Sequence, residues 1–255
     1  MCKQEIYFLI LGGKIKNIKF NNISVNANAS TSTYIGVLGK CSNTTIDNVH
    51  VDKFVISSAK LNDNSSYSSY YLGGIVANNN SSSNNGIVSI SKSSVSNFEV
   101  TVANANQVYI GGIGGSISFG YIDKCFVENM KVNVKASEGK GAKVNGISSS
   151  SKEIINSYVK NMQINIEKDK NNGTTSQMDI GGIGASANTA NCFVQGLDVK
   201  AKGNGFFIGG IVSTGGSAKN CYVSGKISVE GDNGWIGGIV GWQGNYSSYY
   251  RISNC

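Results

Sequence analysis

One short phrase keeps returning in this chain: an apolar residue, two glycines, then another apolar residue. It reads Trp235-Ile236-Gly237-Gly238-Ile239-Val240 near the end and Phe207-Ile208-Gly209-Gly210-Ile211-Val212 one period earlier. Before these come Ile180-Gly181-Gly182-Ile183, Val144-Asn145-Gly146-Ile147, Ile110-Gly111-Gly112-Ile113, Leu72-Gly73-Gly74-Ile75 and Ile35-Gly36-Val37-Leu38. The first residues of successive phrases are 37, 38, 34, 36, 28 and 28 positions apart. A unit that short cannot bury its own apolar face, so recurrence at this period predicts stacked repeats. Residues 1–255 are read as one elongated repeat domain, with coils beginning near 35, 72, 110, 144, 180, 208 and 236. Val37 stands where a second glycine is expected, and Asn145 where a first one is.

Within each period the pattern is that of strands. The phrase itself is the first strand. A second is read in Ile46–Val51, Ile122–Val127, Ile154–Val159, Asn191–Val194, Asn220–Val223 and Ile252–Cys255. A third alternates strictly, as in Phe98–Val102, Met130–Val134, Met162–Ile166 and Ile23–Val25, which marks one buried face. Val and Ile dominate the apolar residues, proline is absent, and no amphipathic helical period is visible. Three strands per period of about 28 residues give a coil perimeter of about 90 Å at about 3.3 Å per residue. The fold expected is all-β: a right-handed parallel β-helix of about seven to eight coils. A propeller or sandwich is disfavoured because hairpin turn dipeptides do not recur at fixed places. Ile15–Phe20 fits an incomplete first rung, and Ile6–Gly13 reads as a degenerate opening phrase. Because the chain starts and stops inside a repeat, a fragment of a longer protein is expected.

Stacking superposes equivalent positions. One inward column then reads Ile18, Val49, Ser93, Cys125, Ser157, Cys192, Cys221 and Cys255. Thiols pack well where coils stack closely. A reduced ladder is expected over disulfides, because the cysteine spacing is not that of a disulfide framework. No Cys-x-x-Cys or histidine pair is present, so no metal site and no cofactor are expected. The glycines, including Gly111, Gly112, Gly181, Gly182, Gly209, Gly210, Gly237 and Gly238, are read as structural corner residues, as Cys125, Cys192, Cys221 and Cys255 are read as structural core.

Several chemistries are disfavoured. The net charge of +7 rests on 21 lysines and one arginine, scattered along the chain, which argues against nucleic-acid binding. No apolar run reaches the roughly 18 residues of a membrane helix. The glycine phrases fail the spacings of dinucleotide and phosphate loops, and lack the aspartate of a calcium nonapeptide. The single histidine, His50, is read as an outward residue near Asp47 and Asp52. A polysaccharide-cleaving β-helix would need acids on neighbouring coils. Asp47 and Asp123 match in position, as do Asp52 and Glu128, but each pair is two coils apart. No catalytic residue is assigned.

The outward aromatics are the candidate ligand contacts. Phe126, Tyr158, Phe193 and Tyr222 fall on consecutive coils of the second strand. The position before the glycine phrase holds Tyr34, Tyr71, Tyr109, Lys143, Asp179, Phe207 and Trp235. Stacked rings on a flat face suit sugars or a partner protein, or serve the sheet itself. Longer Ser-, Asn- and Tyr-rich loops, Ser57–Tyr70, Asn78–Asn85, Ala136–Gly141 and Glu167–Met178, interrupt only certain corners.

At Cys221-Tyr222-Val223-Ser224-Gly225, followed by Trp235–Gly241, the chain resembles bacterial GLUG-motif repeats, with residues 179–255 the clearest. Such repeats occur in bacterial surface proteins and in immunoglobulin A peptidases, outside the catalytic domain. The resemblance implies a β-solenoid on the cell surface or secreted, and a non-enzymatic adhesin-like scaffold or stalk. Its expected partners are a host protein or glycan and neighbouring solenoid repeats. The alternatives are a substrate-positioning accessory region of a secreted peptidase and a carbohydrate-active β-helix.

Overall fold

The computed structural model describes residues 9–27, 32–58, 69–79, 86–105, 107–136, 141–168, 177–243 and 251–255. They form a parallel β-solenoid, with no helix among the described residues. The low-complexity loop expectations and residues 6–8 of the expected opening phrase fall largely outside that set.

The glycine phrases organise one face. Thr33–Ile35, Tyr70–Gly73, Val108–Gly111, Ala142–Asn145, Met178–Gly181, Phe206–Gly209 and Trp235–Gly237 stack in chain order as a seven-stranded parallel sheet. Their register aligns Ile35, Leu72, Ile110, Val144, Ile180, Ile208 and Ile236. Seven stacked strands bound six complete turns. The solenoid therefore has about six turns, fewer than the seven to eight expected, because its first and last rungs are partial. A second, 14-stranded sheet carries the rest of each turn, and a small two-stranded sheet pairs Val212–Thr214 with Val240–Trp242.

Inside lies one apolar column per inward position. Alternation in Phe126–Ala136 and Tyr158–Lys168 puts Met130, Val132 and Val134 over Met162, Ile164 and Ile166, all buried. Burying each Val or Ile side chain stabilises by roughly 1.5–3 kcal/mol relative to leaving it in water.

The second strand expected from the sequence straddles a corner. Gly114–Asp123 ends before Lys124, whose φ is 53°, and the next strand, Phe126–Ala136, begins after it. The corner recurs at Asn17, Asn48, Lys92, Lys124, Asn156, Asn191, Asn220 and Asn254. A second left-handed residue follows five positions on, at Asn22, Lys53, Asn97, Asn129, Asn161 and Gly196. Left-handed backbone disfavours most side chains, and asparagine bears it better than most.

The asparagines also stack. Asn254 donates its Nδ2 to Asn220 at 3.0 Å, Asn220 to Asn191 at 3.0 Å, and Asn191 to Asn156 at 3.0 Å. Asn156 finds Lys124 on the next coil and donates instead to Asp123 at 2.8 Å. The second ladder runs Asn161 to Asn129 to Asn97, then to Asp52 beside Lys53. An Asp-Lys pair thus closes both ladders where the asparagine column is interrupted.

Next to the first corner lies the serine–cysteine column. Each side chain donates to the carbonyl two residues back: Ser93 to Ser91 at 2.7 Å, Ser157 to Ile155 at 2.7 Å, Cys192 to Ala190 at 3.3 Å and Cys221 to Lys219 at 3.3 Å. The same atoms accept amides from the preceding coil, as in Val49 to Ser93 at 3.0 Å and Cys125 to Ser157 at 3.1 Å. Serine and cysteine share the column because both supply a small donor to this turn, which compact packing alone does not explain.

The glycine corner works differently. None of the paired phrase glycines has a positive φ. A Cβ on the first, at Gly73, Gly111, Gly181, Gly209 or Gly237, would collide with the carbonyl oxygen three residues on. A Cβ on Gly112, Gly182 or Gly210 would collide with the equivalent glycine carbonyl of the next coil, and with Val127, Val194 or Val223 across the core. Gly238, on the last rung, meets nothing. At the first coil Ile35 pairs with Leu72 while Leu38 pairs with Val76, so this corner is one residue shorter. Val37 therefore does not replace a glycine: one glycine is missing, and Val37 sits buried. Likewise Gly12 and Gly13 run alongside Ser42–Thr44, past the glycine corner, so they are not an opening phrase. Their φ values are 84° and 126°.

Candidate functional site

The two aromatic columns belong to different sheets. In the 14-stranded sheet, register places His50, Ser94, Phe126, Tyr158, Phe193 and Tyr222 in line. Phe126 and Tyr158 stack at 5.0 Å with planes 4° apart, and Tyr158 and Phe193 at 4.8 Å and 7°. Both faces of Tyr158 are thereby covered by neighbouring rings. Its hydroxyl lies 3.2 Å from Glu128 Oε1, and Lys160 Nζ lies 4.9 Å from its centroid. Burial, then the Glu128 charge, holds the phenol above its ordinary pKa. Tyr222 extends the register and is exposed.

In the seven-stranded sheet, Tyr34 stacks on Tyr71 at 5.1 Å and Tyr71 on Tyr109 at 4.9 Å. Lys40 Nζ lies 3.8 Å from the Tyr34 ring centroid. Burial raises the pKa of all three phenols. The column then changes character: Lys143 Nζ meets the fully buried Asp179 at 2.9 Å, and Gln177 Nε2 donates to the other carboxylate oxygen at 2.6 Å. Aromatics resume with Phe207 and Trp235, 4.9 Å apart. Trp242 closes against them, 5.3 Å from Phe207 and edge-on at 62°, and 6.4 Å from Trp235.

A sugar face needs an exposed ring face, and mid-ladder rings offer mainly edges. Of the candidate contacts Phe126, Tyr158, Phe193, Tyr222, Tyr109, Phe207 and Trp235, the structure brings together Phe207 and Trp235 in one cluster and Phe126, Tyr158 and Phe193 in another. Trp235 is 51% exposed and Trp242 37%. Sequence reasoning missed Trp242. The available signal was a bulky ring at a position where the previous coil carries Thr214, its register partner.

The histidine is not paired with acids. His50 Nδ1 lies 2.7 Å from Ser94 Oγ, and Nε2 lies 2.9 Å from Asn48 Oδ1. Asn48 Nδ2 donates to Asn17, which turns its oxygen toward the ring and assigns the proton to Nε2. The acids are otherwise engaged. Asp47 takes the Ser91 hydroxyl at 2.8 Å, and that bond together with Lys92 and Lys16 holds its carboxyl below the usual range. Asp52 and Asp123 close the asparagine ladders.

Cys41, Cys125, Cys192, Cys221 and Cys255 are free thiols. Burial pushes Cys41 and Cys125 up to about 12. The neighbouring Cys221 thiol, together with burial, holds Cys192 above its ordinary value, while the neighbouring Cys192 thiol draws Cys221 below it against the upward effect of burial.

These features define a class: a parallel β-solenoid whose polar, thiol and aromatic side chains are arranged in columns along the stack. In comparisons with known proteins, no family model matches the chain, and no curated protein or solved structure matches it.

Proposed function

We propose that the chain is a non-enzymatic, adhesin-like scaffold domain of a cell-surface or secreted protein, presenting aromatic side chains to a glycan or host protein. The observation that carries this reading is the Phe207–Trp235–Trp242 cluster, in which two tryptophans remain substantially exposed. Exposed large aromatics favour sugar or protein contact, and here they sit beside a rigid sheet. The acids most suited to chemistry are engaged in ladders and turns, which supports a scaffold over a hydrolase. The resemblance to GLUG-motif repeats supports the surface location.

A glycan array tests the reading with wild type, Trp235→Ala/Trp242→Ala and Tyr158→Ala. Binding is expected for wild type and Tyr158→Ala, and is lost in the double variant. Absence of binding by wild type overturns the glycan part and leaves a stalk. Release of sugar from polysaccharide by purified protein overturns the non-enzymatic part.

A further inference from the structure

We propose that Cys192, Cys221 and Cys255 form a two-coordinate site for a soft monovalent cation, Cu(I), with Cys221 as the shared ligand. On the earlier coils serine or valine interrupts the column; only here do thiols fall on three successive coils. The register is fixed on both sides of Cys192 and Cys221, by Ala190 on Lys219 and Phe193 on Tyr222, and just before Cys255 by Lys219 on Ser253. The Cys221 amide points at the Cys255 sulfur at 3.4 Å. All three thiols therefore stand in one line along the stack.

The spacing chooses among the chemistries open to neighbouring thiols. Adjacent coils lie about 4.8 Å apart. A metal–thiolate bond is about 2.3 Å, so a linear sulfur–metal–sulfur unit spans about 4.6 Å. Two in-register cysteines can hold such a unit without moving the backbone. A disulfide needs its Cβ atoms about 3.5–4.5 Å apart, somewhat closer than the coil spacing, whereas the metal-bridged unit matches that spacing. Zinc needs four ligands, and no group of three His, Cys, Asp or Glu side chains converges among the described residues. Soft thiolates select Cu(I), for which two ligands suffice.

Binding is a substitution without electron transfer. Two S–H protons leave, two copper–sulfur bonds form, and the unit carries one negative charge. The Cys221 amide donates toward that charge when Cys255 is a ligand. The corner tolerates loss of sulfur, because Ser93 and Ser157 fill the same column with the same hydrogen bonds.

The test is an anaerobic titration of the full chain with Cu(I) in the presence of excess glutathione, read by native mass spectrometry. One copper per chain is expected to be retained by wild type, Cys41→Ser and Cys125→Ser. Cys221→Ser is expected to lose at least about tenfold in affinity while keeping wild-type thermal stability. Copper lost from wild type to glutathione overturns the site, as does equal retention by Cys221→Ser. A Cys221 disulfide forming in place of the copper complex also overturns it.

Discussion

Each coil turns at two kinds of corner, and they use residues in opposite ways. At the glycine corner the backbone is ordinary and the space is not: neither glycine has a positive φ, yet a Cβ on either would meet a backbone carbonyl. At the asparagine corner the space is ordinary and the backbone is not: Asn156, Asn191 and Asn220 sit at φ values of 50–54° with exposed side chains stacked on one another. Glycine is usually the residue for left-handed backbone. Here most left-handed positions belong to asparagine and lysine, and the phrase glycines are reserved for close approach. The lesson is that a recurring glycine pair in this solenoid marks where coils touch, whereas the turning itself is encoded by a less conspicuous polar residue.

Five substitutions test that contrast, each read as a urea midpoint at constant slope. The largest effect is expected for Gly182→Ala, whose methyl would meet the Gly210 carbonyl and lie 2.8 Å from Val194 Cγ2. The cost is about 4 kcal/mol or more, because backbone must move in two coils. A loss under about 1 kcal/mol would refute the close-approach account. Next comes Asn191→Ala, at about 2 kcal/mol, from left-handed strain together with two lost ladder bonds. Asn191→Gly separates these causes: it keeps the backbone conformation and costs about 1 kcal/mol or less. If glycine is as damaging as alanine, the ladder rather than the backbone is the main contribution.

Asn145 sharpens the comparison from the other side. It occupies a first-glycine position, is fully buried, and neither of its side-chain amide atoms has a protein hydrogen-bond partner. Asn145→Gly is expected to stabilise by about 1 kcal/mol, since relief of an unpaired buried amide exceeds the added chain entropy. Destabilisation would mean that the amide is satisfied by bound water. The smallest effect is Lys124→Asn, which lengthens the Asn156 ladder by one rung, up to the coil where Lys92 interrupts it again. A gain of about 0.5 kcal/mol is expected, and none if Asp123 already serves as well.

The same contrast runs through the column before the glycine phrase. Its tyrosines and terminal rings are held by stacking, while Lys143 and Asp179 replace stacking with one short ion pair. Removing Lys143 leaves the buried Asp179 carboxylate with Gln177 alone, which costs about 3 kcal/mol. Rings at both positions would instead continue the neighbouring stacks.

Much of the fold was legible in the chain itself. Period fixes coil, and alternation fixes the buried face, because side chains in a strand point to opposite sides at every second residue. That is why the glycine phrases, the Met130–Val134 and Met162–Ile166 strands and the thiol column could be placed in register from spacing alone. Tertiary structure decided the rest. The corner at Lys124 was hidden because Ile122–Val127 reads as one continuous strand, and left-handed backbone at a lysine leaves no compositional mark. The missing glycine beside Val37 was hidden because a deletion and a substitution look alike until the next coil supplies a register. The candidate site divided in the same way. Stacking showed which ring faces are covered, as at Tyr158, and which stay open, as at Trp235 and the unforeseen Trp242. Sequence determines which residues share a column, since that depends on local geometry repeated without change. What a column presents to its surroundings depends on the coil above and the coil below, and only the assembled stack specifies both.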